Sequence, residues 1–78
     1  MAMIPNDTLD ACGLLCPLPV LKLRKRLKSL GIGEVIAMQA DDPAAIIDVP
    51  HFCAESGHDL LSATDTGGVQ TYLIRKTL

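Results

Sequence analysis

Twice within 78 residues, a segment of helical spacing is opened at a proline, closed by a glycine and preceded by an apolar run of strand length. That recurrence limits the folds open to the chain more than any other feature. In the first segment Val20, Leu23, Leu27 and Leu30 recur at spacings of three and four, which predicts an amphipathic helix from Pro17 to Leu30, stopped by Gly31 and Gly33. A strand is predicted before it at Leu9 to Cys12, ended by Gly13. The apolar run in Glu34 to Ala40 predicts a second, central strand. Asp42 suits a helix N-cap and Pro43 the first helical position, so a second helix is expected to begin there. Pro50 is expected to break or kink it, leaving one short turn before the proline and a firmer helix from about Val49 to Ser56, closed by Gly57. Leu60 to Thr64 and Val69 to Lys76 read as two further strands joined by a hairpin turn at Gly67-Gly68.

The resulting order is β-α-β-α-β-β. Two helices with one apolar face each can hide both faces on one side of a four-stranded mixed sheet, which predicts a two-layer α/β sandwich of the α+β class. The length fits one domain spanning 1–78, with 1–7 expected to be a flexible N-terminus. If the first two strands are parallel, both strand-to-helix turns emerge at one sheet edge, and Cys16 and Asp42 should be neighbours.

Composition removes several function classes. Phe52 and Tyr72 are the only aromatic residues, so a base-stacking platform has almost nothing to work with, and the net charge of −2 disfavours general nucleic-acid binding. No apolar run approaches the ~20 residues of a membrane span, and the N-terminus lacks the pattern of a signal peptide. A cytoplasmic location is expected. There the odd set Cys12, Cys16 and Cys53 should remain as free thiols.

The chemically informative stretch is Cys12-Gly13-Leu14-Leu15-Cys16-Pro17-Leu18-Pro19. Cys16 stands where the first helix starts, so it is expected at the N-cap, with the Leu18 amide donating to its sulfur. Helix dipole and the nearby cation of Lys22 would then favour the thiolate, and the Cys16 pKa is expected to lie below that of a free cysteine. Gly13, Pro17, Leu18 and Pro19 form the supporting turn. Periodicity offers a competing reading: Cys16 continues the stripe of Val20 and Leu23 backward and could be a small buried hydrophobe.

Cys16-Pro17-Leu18-Pro19 resembles the CPxP signature of the TusA-like (SirA-like) sulfur-carrier proteins. Leu9-Asp10-Ala11, Gly13-Leu14, Ala40-Asp41-Asp42-Pro43-Ala44, Asp48-Val49-Pro50, Phe52-Cys53, His58-Asp59-Leu60 and Tyr72-Leu73-Ile74-Arg75-Lys76 resemble family segments in the same order. The resemblance implies the β-α-β-α-β-β sandwich and a sulfurtransferase without a cofactor, in which Cys16 carries sulfur as a persulfide. It also implies a cysteine desulfurase as donor and a downstream sulfur-accepting protein, in routes that lead to thiolated tRNA or the molybdenum cofactor in different members. Leu18 departs from the acidic residue of tRNA-thiolation members, and Cys12 replaces an apolar residue or Arg.

Cys12 is a candidate resolving thiol for Cys16, or a packed strand-end side chain. Five of the seven basic residues fall between positions 22 and 28, and Lys22, Lys25 and Arg26 are candidates for partner docking, with a solvated surface as the alternative. Cys53 beside Phe52 reads as core. His51 and His58 lack metal-ligand spacing with the cysteines, so no metal site is expected. Besides the sulfur carrier, two functions remain open: a thiol-disulfide redox or regulatory protein using Cys12 and Cys16, and a non-catalytic module whose basic helix binds a partner.

Overall fold

A computed structural model describes residues 4–78. The elements are β1 (Asp7–Asp10), α1 (Leu18–Leu27), β2 (Val35–Ala40), α2 (Ala45–Ser56), β3 (Asp59–Thr66) and β4 (Val69–Arg75), in the expected order. The sheet runs β1-β2-β4-β3, with β1 parallel to β2 and the other two pairings antiparallel. The fold is a two-layer α+β sandwich.

Period-two alternation decides which sheet face meets the helices. Ile36, Met38 and Ala40 of β2 and Tyr72 and Ile74 of β4 are buried, while Gln39 and Arg75 are exposed. Leu23 and Leu27 from α1 and Ala45, Val49, Phe52 and Cys53 from α2 close the same core. Full burial of each large aliphatic contributes about 1.5–3 kcal/mol, so this layer contact supplies most of the stabilising free energy. The opposite face carries Thr8, Asp10, Gln39 and Thr71 and meets water.

Several boundaries differ from the sequence expectation. The first strand begins at Asp7, not Leu9. Residues 1–3 of the segment expected to be flexible lie outside the described residues, whereas Asn6 is tied down: its amide donates to the Val35 carbonyl, and its side chain accepts from the Val35 amide. Asp7 accepts a salt bridge from Arg26 of α1 at 3.1 Å. At the other end the strand gives way after Asp10, whose carboxylate takes the Cys12 amide at 2.9 Å. Helix α1 stops at Leu27 because Lys28, Ser29 and Leu30 tighten into bonds to the residue three back.

Helix α2 starts later than predicted, with Pro43 and Ala44 in a preceding turn whose amides and carbonyls bond three residues apart. More consequentially, it runs unbroken through Pro50. The proline removes the bond to the Ile46 carbonyl, but Ile46 is half-exposed, so water can take that acceptor, while Val49, Phe52 and Cys53 anchor the helix on both sides. Gly57 closes it with φ of +86°, donating its amide to the Cys53 carbonyl. The Gly67-Gly68 turn has φ of +60° and +89°, the pair of positive values a two-residue hairpin requires. Strand β3 reaches from Asp59 to Thr66, longer at both ends than expected, with a bulge at Leu61.

Candidate functional site

The parallel pairing of β1 and β2 sends both strand-to-helix turns to one edge of the sheet, where two aspartates of the second turn grip the first. The Gly13 amide donates to Asp41 Oδ1 at 2.9 Å, and the Cys16 amide donates to Asp42 Oδ2 at 2.6 Å. Cys16 and Asp42 are neighbours, as the topology requires. Gly13 sits at φ of +82° with open space around it, a conformation that a residue with a side chain would adopt only under strain. Asp42 also accepts the Ala44 amide through Oδ1, so one carboxylate fixes the start of α2 and the cysteine loop together.

Cys16 is exposed, which removes the reading of it as a buried hydrophobe. Its sulfur does not sit over the opening amide of α1. The capping position belongs to Pro17, which makes no side-chain cap bond, and the Leu18 amide donates to the Leu15 carbonyl at 2.9 Å instead. The Cys16 thiol donates to Asp48 Oδ2 of α2 at 2.8 Å. Leu18 is half-exposed, and Pro19 is buried beneath the turn.

This geometry reverses the expected electrostatics. The hydrogen bond to Asp48 holds the Cys16 thiol above the ordinary cysteine value, and partial desolvation and the charges of Asp48 and Asp42 act the same way. Two of the amides that could have stabilised a thiolate are absent because Pro17 and Pro19 have none, and the third is spent on Leu15. Lys22, the cation expected to favour the thiolate, is turned elsewhere. Lys22, Lys25 and Arg26 line a different depression with Leu9 and Ser29, and Arg26 is committed to Asp7 and the Thr8 carbonyl.

Beside Cys16 an open groove of about 360 Å³ runs along the seam of the two helices. Pro17, Val20 and Phe52 form its apolar wall, and Arg24, Asp48, His51 and Glu55 its polar one. The Arg24 guanidinium lies 5.6 Å from the centre of the Phe52 ring, within cation–π range. His51 Nε2 is 3.3 Å from Glu55 Oε1. Arg24 is therefore the basic side chain of α1 that reaches the groove, a residue the sequence reading did not single out.

The other thiols differ. Cys12 is half-buried, and burial, then Asp10, then Asp41 hold its thiol above the ordinary value. Cys53 is buried in the core, which pushes it up to about 11. Among the described residues, no three His, Cys, Asp or Glu side chains are grouped to hold a metal ion, and no helix is long and apolar enough to cross a membrane.

Asp48 is the site residue that the sequence pattern conceals most. Asp48, Phe52 and Glu55 stand at i, i+4 and i+7, one face of a continuous helix, but a helix expected to break at Pro50 separates them. Asp42 fills the helix-opening role expected of it through its bond to the Ala44 amide, and its second role on the Cys16 amide depends on contact across 26 residues.

Fold and site together define a small two-layer domain that presents one solvent-facing thiol where two parallel strand-to-helix turns meet. The chain belongs to the sulfurtransferase TusA family, whose model matches residues 7–76. The structure is similar to a SirA-like protein from Desulfitobacterium hafniense, with 26% identity, a TM-score of 0.80 and coverage of 92% of this chain and 99% of that one.

Proposed function

We propose that this sulfur-carrier domain loads sulfane sulfur on Cys16 as a persulfide, taking it in the cytoplasm from a cysteine desulfurase and passing it to a downstream acceptor. Thiolated tRNA and the molybdenum cofactor are the product classes that the family resemblance offers. The observation that carries the reading is the exposed Cys16 thiol, mounted on a turn clamped by Asp41 and Asp42 and hydrogen-bonded to Asp48.

At rest the thiol is protonated and shielded from oxidants and stray disulfides, since the thiolate is the reactive form. When a donor persulfide meets it, the Asp48 carboxylate takes the Sγ proton. The Cys16 sulfur bonds to the terminal sulfur of the donor, the donor's S–S bond breaks with its electron pair on the inner sulfur, and that thiolate takes up a proton. No net oxidation occurs, because the sulfane sulfur keeps its oxidation state. Delivery repeats the exchange: the acceptor nucleophile attacks the terminal sulfur and Cys16 leaves as a thiolate, reprotonated through Asp48. A thiol of raised pKa is also intrinsically the better nucleophile once deprotonated. Leu15 and Leu18, exposed on the turn that carries Cys16, offer an apolar surface for a protein partner.

Incubation with a cysteine desulfurase and cysteine, followed by intact mass, should show one added sulfur that survives Cys12→Ser and vanishes with Cys16→Ser. A requirement for both cysteines with loss of two hydrogens would replace the carrier reading by the redox one and give Cys12 the resolving role.

A further inference from the structure

Gln70 is the one polar side chain fully buried among the described residues, 3% exposed at the start of β4 and facing the helix layer. Burying an amide is costly unless its hydrogen bonds are made. Both of its functional atoms are used. The Tyr72 hydroxyl, itself in the core, donates to Gln70 Oε1 at 2.8 Å, and Gln70 Nε2 donates to the Asp42 carbonyl at 3.1 Å.

Asp42 is where the site's connections converge. Its carbonyl accepts from Gln70 and from the Ala45 amide at 2.9 Å, Oδ1 accepts from the Ala44 amide, and Oδ2 accepts from the Cys16 amide. The two pieces that meet at the thiol, the Cys16 loop and the α2 start that leads to Asp48, are both bonded to this residue. Among the described residues, the only side chain bonded to Asp42 is that of Gln70.

We propose that Gln70 is a positioning residue for Cys16: through its bond to the Asp42 carbonyl it fixes the turn that aligns the Cys16 thiol with Asp48. Its relevance to transfer rests on the carrier reading, but its test involves no sulfur donor, so the two can fail separately. Gln70→Met keeps the volume and removes the donor, leaving the Asp42 turn free to shift. Loss of the Asp48 contact should lower the midpoint of Cys16 alkylation by iodoacetamide, followed by peptide mass mapping against pH.

A fall of about 0.5, equivalent to about threefold faster alkylation below both midpoints, is the expected size. Tyr72→Phe serves as the control for lost stability alone, since it spares the bond to Asp42; its melting temperature should fall while its Cys16 profile stays near that of the parent. An unchanged profile in folded Gln70→Met overturns the proposal. Should that variant not fold, hydrogen exchange in the parent protein decides: slow exchange at both the Gln70 side-chain amide and the Cys16 backbone amide supports the proposal, and fast exchange at either overturns it.

Discussion

Cys16 and Cys53 carry the same side chain and both thiols are held protonated above the ordinary cysteine value, yet for causes that give them opposite prospects. Around Cys53 the cause is burial among Val49, Phe52 and the sheet, which also denies access to any reactant. Around Cys16 it is first a hydrogen bond to one carboxylate at the surface, which an arriving partner can rearrange. A thiol silenced by a removable contact is available for chemistry; one silenced by the core is not.

The sharpest way to break this contrast is to exchange the losses. Cys16→Ser should abolish sulfur uptake by intact mass with the melting temperature nearly unchanged, whereas Cys53→Ala should retain uptake while losing about 1–2 kcal/mol of stability from the small cavity it leaves. Uptake persisting without Cys16, or vanishing with Cys53 in a folded protein, would invert the assignment.

A smaller effect should appear in alkali. The folded-state pKa of Cys53 is raised from 9.0 to about 11, so the neutral thiol's contribution to stability is fully present below pH 9 and is lost as pH rises through 11. Tyr72, also raised by burial, adds to the same loss at the upper end. Denaturant midpoints between pH 8 and 11 should therefore fall, and fall less in Cys53→Ala. The smallest effect is expected at the basic face away from the thiol: Arg26→Ala removes a partly exposed ion pair with Asp7 and should cost under about 1 kcal/mol, with uptake unchanged. Loss of uptake there would restore Lys22, Lys25 and Arg26 to the docking role first expected of them.

What the sequence made legible was periodicity and punctuation. The stripe of Leu23 and Leu27, the alternation of Tyr72 and Ile74, the closing Gly57 and the Gly67-Gly68 hairpin depend on interactions within one element, and they survive in the fold. So does the meeting of Cys16 with Asp42, because parallel pairing brings the two turns to one edge. Misread were the places where tertiary contact overrides a local rule. Pro50 does not break α2, because the core holds the helix across it, and Cys16 does not take the cap, because its thiol donates instead to Asp48, 32 residues away. The basic cluster was legible as a cluster but not as two faces, one turned toward β1 and one, at Arg24, toward the groove.

The most direct test of the account is the pH titration of Cys16 alkylation in the parent protein and in Asp48→Asn. The parent should show a midpoint above that of free cysteine, and the variant a lower one with faster alkylation at neutral pH, because the carboxylate that holds the proton is gone. A parent midpoint at or below the free-cysteine value, unmoved by Asp48→Asn, would contradict the claim that Asp48 keeps this thiol neutral until a partner arrives.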